Sequence, residues 1–111
     1  MPEEPTILWT GESGAKFKYW IHPIETNFTK SAGNYIFAKE SSPGKWRPIY
    51  IGQTNDLSRR LGEHANDNTC IDRNGATHIH AHTQADEEAR LAEEKDLIRK
   101  WNPPCNTQHA D

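Results

Sequence analysis

Glu94 is hard to explain as packing. Leu91, Leu97, Ile98 and Trp101 form one apolar stripe at helical spacing, and Glu94 falls inside it, three residues after Leu91 and four before Ile98. A carboxylate aimed at a core is several kcal/mol unfavourable unless a cation or hydrogen-bond donor meets it. Glu87 projects toward the same side, but from the first turn, where the helix dipole accounts for an acid. Earlier in the chain Leu57 and Leu61 face inward at a spacing of four, and Arg60 and His64, also four apart, share that side. Two phenols complete the set: Tyr35 shares a strand face with Phe37, and Tyr50 stands between Ile49 and Ile51. Residues of these types can hold charge and move protons. An Arg60–Glu94 ion pair, a half-buried histidine and two core tyrosines would satisfy the same pattern, so placement alone proposes a site without naming its reaction.

These side chains have to be carried by short elements. Residues 7–9 and 17–21 are β-rich and are separated by Gly11-Glu12-Ser13-Gly14, which predicts a hairpin. Residues 34–39 and 48–52 read as two further strands, paired antiparallel across the Pro43-Gly44 loop. Thr54, Asn55 and Asp56 offer N-caps for a short helix to about residue 65, residues 66–75 read as a polar loop, and residues 77–83 alternate as a strand. The longest helix is expected from Gln84 or Ala85 to about Trp101, with Pro103-Pro104 ending it. The fold class is therefore α+β, a small and mostly antiparallel sheet packed with helices.

Composition narrows the setting. A chain of 111 residues is of one-domain size, and its longest wholly apolar run, residues 35–38, is far too short to span a membrane. The N-terminal residues lack the basic start and apolar middle of a secretory signal, which predicts a cytoplasmic protein with no membrane partner. Cys70 and Cys105 form no CxxC pair, so two reduced thiols are expected. The net charge of −3 does not favour bulk attraction to a polyanion. Much of the acid lies in residues 86–96, however, and Lys39, Lys45, Arg47, Arg59 and Arg60 in mid-chain leave room for a local cationic patch.

Gly33-Asn34-Tyr35, then Tyr50-Ile51-Gly52, Arg60 ten positions after Tyr50, His64 four further on, Glu94 in Glu94-x-x-Leu97-Ile98, and Asn106 closing Pro103-Pro104-Cys105-Asn106 together resemble the GIY-YIG nucleases. The pattern is similar to that of the N-terminal incision module of the bacterial nucleotide-excision-repair endonuclease and of small stand-alone relatives. It spans about two-thirds of the chain and departs at Asn34, where the family name carries Ile, a position that should face away from Tyr35. The resemblance implies a three-stranded core in residues 33–111, with residues 1–32 a hairpin extension of the same domain.

It also implies roles. Glu94 would be the metal ligand, Arg60 would hold the scissile phosphate, Tyr35, Tyr50 and His64 would position or deprotonate the attacking water, and Asn106 would brace the site. One protein carboxylate leaves most metal positions to water and phosphate, which fits Mg²⁺ or Mn²⁺. The implied activity is metal-dependent hydrolysis of a nucleic-acid phosphodiester, DNA in the first instance and in a DNA-repair setting. The alternative is a catalytically weak or silent nucleic-acid-binding module on the same scaffold. Specificity would come from a partner protein or a second copy. His78, His80 and His82 alternate onto one strand face, but their line does not converge on an ion, and a solvated or DNA-facing surface is expected for them.

Overall fold

The computed structural model describes residues 5–67 and 69–106, with the backbone alone for 63–67 and 69. Strands β1 (Thr6–Thr10) and β2 (Lys16–Pro23) form the expected hairpin, whose turn closes with Gly14 at φ 91°, a left-handed value that glycine adopts without strain. Strands β3 (Gly33–Ser42) and β4 (Lys45–Thr54) pair antiparallel, again as the sequence predicts. Strand β5 (His78–Thr83) then inserts between the two hairpins, giving one five-stranded sheet in the order β1-β2-β5-β3-β4 with every pairing antiparallel.

Helices cover both faces of the sheet. Helix α1 (Leu57–Asp67) and helix α2 (Thr69–Arg73) lie on the face that carries Tyr35, Phe37, Tyr50, Ile79 and Ala81, where Leu57, Leu61 and Ile71 complete the core. Helix α3 (Glu87–Trp101) covers the other face, where Leu97 packs with Trp9, Tyr19, Ile36, Ala38 and Ile51. Leu97 is fully buried, which is worth about 1.5–3 kcal/mol relative to an exposed leucine. No described helix is long and apolar enough to cross a membrane.

Four expectations are corrected. Residues 69–73 are helical rather than loop, because Ile71 enters the core and anchors a segment too short to hold itself. Cys70 and Cys105 form a disulfide with a Cα–Cα separation of 5.8 Å, so they are not two reduced thiols. The bond joins α2 to the C-terminal tail across 35 residues, a pairing that local spacing could not reveal. Helix α3 starts at Glu87, and it is rotated from the predicted stripe: Arg90, Glu93 and Leu97 are its buried residues, while Leu91 is 46% exposed.

The histidine strand is buried at its centre. His80 is fully buried, accepts a hydrogen bond from Trp9 Nε1 at 2.9 Å, and is pushed down to about 3 by burial and by neighbouring His78 and His22. It is a neutral core group. Among the described residues no cluster of three or more metal-ligating side chains is present, and the expected solvated or DNA-facing surface fails at buried His80, while His78 and His82 are half-buried.

Candidate active site

The antiparallel register places Tyr35 opposite Gly52 and Phe37 opposite Tyr50 on one face of β3 and β4. The two tyrosine rings lie 6.1 Å apart between centroids. Arg60, from the first turns of α1, hydrogen-bonds the Tyr35 hydroxyl. Burial raises the Tyr35 pKa, the neighbouring Tyr50 and the charge of Glu94 add to this, and Arg60 opposes it without reversing it. Tyr35 is thus a protonated phenol, 1% exposed, whereas Tyr50 is 8% exposed.

Gly52 is required by the close approach of that phenol. A Cβ at this position would lie 2.5 Å from both Cζ and Oη of Tyr35, and a six-membered ring cannot yield to it without leaving the strand face. Gly52→Ala is expected to destabilise the fold by about 1–3 kcal/mol and to displace the hydroxyl from Arg60. Thermal denaturation checks this; an unchanged melting temperature would mean that the ring does not rest on residue 52.

Edge strand β4 is sealed by side chains rather than by another strand. Asn106 uses both ends of its amide, accepting from Ile51 N–H and donating to Ile51 C=O, each at 2.8 Å, and Cys105 N–H binds Ile49 C=O at 3.1 Å. One residue pair further along, Gln53 N–H donates to Glu94. The tail and α3 therefore occupy the outward-facing groups of the same edge, which fixes Asn106 and Glu94 relative to Tyr50 and blocks further strand addition.

Burial raises the Glu94 pKa, and Gln53 N–H only partly offsets this. Among the described residues no cationic side chain forms an ion pair with Glu94. Arg60 hydrogen-bonds Tyr35 instead, so the alternative of an Arg60–Glu94 ion pair is not what the structure contains. A half-buried carboxylate with one neutral donor fits a divalent cation that completes its shell with water and phosphate oxygens.

Tyr35, Tyr50, Arg60 and Glu94 are brought together, and Asn106 braces the strand beneath them. His64 belongs to α1, and its side chain lies outside the described residues. An open cleft of about 500 Å³ adjoins this group at the end of β4, lined by Gln53, Asn55, Arg59, Arg60, Glu87 and Arg90.

Two charged residues of α3 escaped the sequence reading. Glu93 accepts from Tyr19 Oη at 2.5 Å and from His82 Nε2 at 2.6 Å. Arg90 donates Nε to Gln53 Oε1 and Nη1 to the carbonyls of Gln84 and Ala85, each at 3.0 Å. Asn34, the departure from the family pattern, faces away from Tyr35 as expected and donates to Arg90 C=O at 3.0 Å. Tyr19, Gln53 and Asn34 lie far from α3 in sequence, and only the period-two placement of Tyr19 and His82 on the α3-facing side hinted at these contacts.

No family model and no curated protein matches the chain. Solved structures do. The GIY-YIG N-terminal endonuclease domain of UvrC from Thermotoga maritima, bound to its catalytic divalent cation magnesium, shares 30% identity over 68% of this chain and 83% of that one, with a TM-score of 0.57. Two point mutants of the same domain, each bound to its catalytic divalent cation, give 30% and 28% identity over 68% of this chain and 82% and 83% of theirs, also with a TM-score of 0.57.

Proposed function

The chain belongs to the GIY-YIG endonuclease family, and from that premise we propose that it hydrolyses a phosphodiester bond of nucleic acid, DNA in the first instance, with one divalent cation held by Glu94. The observation that carries this reading is Glu94 itself. It is a carboxylate drawn half out of water, lacking an ion-pair partner among the described residues, and close enough to Tyr35 to raise its pKa. A structural carboxylate in such a place would have acquired a cation.

The chain's own groups divide the work. Arg60 lines the cleft with a planar fork suited to two phosphate oxygens, and its bond to Tyr35 holds that fork in place. Tyr35, buried and protonated, orients; Tyr50, the more exposed phenol, is the group that meets the proton of the attacking water. His64, one turn beyond Arg60, positions or deprotonates the same water. Asn106 holds β4 so that Tyr50 keeps its aim. A divalent cation, when bound, contributes charge at the phosphoryl oxygens and makes Mg²⁺ or Mn²⁺ a requirement. The catalytic core on this reading is β3, β4 and β5 with the three helices, and the β1–β2 hairpin is an addition to it.

Nicking of supercoiled DNA in Mg²⁺ tests the proposal. Cleavage should appear with Mg²⁺ or Mn²⁺ and vanish with a chelator, with the melting temperature at high chelator equal to that of the metal-free protein. Cleavage that persists in chelator would remove the cation from the reaction, and no cleavage under any metal would leave a binding module.

A further inference from the structure

The cleft beside Glu94 is lined by three guanidiniums, from Arg59, Arg60 and Arg90, against one described carboxylate, Glu87. Arg90 is the unusual member. It is 4% exposed, yet its hydrogen bonds among the described residues run only to neutral acceptors: an amide side chain and two backbone carbonyls. Buried charges are ordinarily neutralised by a carboxylate, because an uncompensated ion is expensive to desolvate. Here α3 offers Glu93 and Glu94 within a turn, and both are engaged elsewhere, Glu93 by Tyr19 and His82 and Glu94 by Gln53 N–H. Three donor bonds set the plane of the Arg90 fork while leaving its charge for something that enters the cleft.

Gln53 couples this fork to the proposed reaction centre. Its backbone N–H binds Glu94 and its side-chain oxygen binds Arg90 Nε, so the two sites lie on either side of one residue. Arg60 couples them from α1, since it lines the cleft and hydrogen-bonds Tyr35. A phosphate at Glu94 and Arg60 would have its neighbour along the strand delivered to Arg90 and Arg59.

We propose that this cleft is a second phosphate subsite, in which Arg90 and Arg59 grip the backbone phosphate next to the one that is cut. The inference rests on the nuclease reading above and adds to it a site that takes a phosphodiester anion without reacting with it.

The test uses duplex DNA whose phosphate flanking the cut is replaced by a neutral methylphosphonate, bound to a full-length Glu94→Gln variant so that no cleavage intervenes. Arg59→Gln and Arg90→Gln should each weaken binding of the native duplex roughly tenfold, the loss expected for a charge-assisted pair, and lower the salt slope by about one. On the methylphosphonate duplex neither substitution should matter further. In a Glu94-intact background the same substitutions should raise KM with kcat held. Arg90→Lys should restore the salt slope but only part of the affinity, because the fork is lost. If Arg90→Gln unfolds, the exposed Arg59 and the methylphosphonate still decide the matter. Equal losses on native and neutralised duplexes, a fall confined to kcat, or no measurable binding would overturn the subsite. A wild type that binds in this way but never cleaves would sink the nuclease reading and leave the subsite standing.

Discussion

Glu94→Gln is expected to lower nicking by about 10³-fold or more, the loss of several kcal/mol of cation-derived stabilisation, while the melting temperature stays level or rises slightly. The two halves of this result come from one fact. Burial raises the Glu94 pKa, and the single donor, Gln53 N–H, does not compensate. A carboxylate with a raised folded pKa binds protons more tightly in the fold than in the unfolded chain, so its ionisation at neutral pH works against folding. Glutamine keeps an oxygen for Gln53 N–H and carries no charge, and the fold loses nothing. The variant should also lose the rise in melting temperature that Mg²⁺ gives the wild type, since a ligand stabilises only what it binds. Cleavage at the wild-type rate would refute the assignment of Glu94 to the cation, and a parallel loss of melting temperature and activity would make it a structural acid.

The order of elements could be read along the chain because each rests on local chemistry. The β1–β2 turn depends on Gly11-Glu12-Ser13-Gly14, and the α3 stop depends on Pro103 following Asn102 in a left-handed conformation. What could not be read depends on distant partners. The sequence alone would start α3 at Gln84 or Ala85, but those carbonyls turn out to Arg90 and Gln84 N–H turns to Ala32, which holds both residues outside the helix. The rotation of α3 has the same origin. Leu91 is the more apolar candidate for burial, yet Arg90 and Glu93 go inside because Gln53, Tyr19 and His82 wait for them there.

The candidate site was more legible than the fold around it. Tyr35, Tyr50, Arg60 and Glu94 could be singled out along the chain as polar groups on apolar faces; the register of β3 on β4 brings the two tyrosines together, and α1 and α3 bring Arg60 and Glu94 to them. The supporting shell was not legible. That α3 is tied to the hairpin by Asp96, which accepts from Ser13 N–H at 2.9 Å and from Ser13 Oγ at 2.7 Å, and by Trp101 Nε1 donating to Thr10 C=O at 3.0 Å, follows from tertiary packing alone. With Glu93 and Asp96 both held from the hairpin side, the turn of α3 that carries Glu94 is clamped at two points. The hairpin thus takes part in aiming the carboxylate.

Glu93→Ala should therefore be the most damaging of the non-catalytic changes, costing about 3–5 kcal/mol, the usual penalty for orphaning a buried ionic partner. His82 Nδ1 faces the Thr83 carbonyl at 3.0 Å and Nε2 faces Glu93 at 2.6 Å. A carbonyl and a carboxylate oxygen on the two sides of the ring suit an imidazolium that donates from both nitrogens. Burial alone would lower the His82 pKa, but the hydrogen bond and charge of Glu93, helped by the Thr83 carbonyl, raise it above its usual value. Burial also raises Tyr19, with the charge of Glu93 and its hydrogen bond adding to the shift, so that phenol remains a donor. Alanine at 93 would leave a buried imidazole and a buried hydroxyl unmatched. Glutamine would cost far less, because its oxygen accepts from Tyr19 and its amide donates to a neutral His82. The pH dependence separates the two effects. A histidine with a raised folded pKa stabilises the fold fully below its unfolded value of about 6.5, and that contribution fades as pH climbs through the folded value. Urea denaturation of wild type and Glu93→Gln at several pH values should show a stability gap that is widest below about pH 6.5 and closes above it. A gap that is flat with pH would mean that His82 is neutral in the fold, and the ion pair beneath α3 would have to be abandoned.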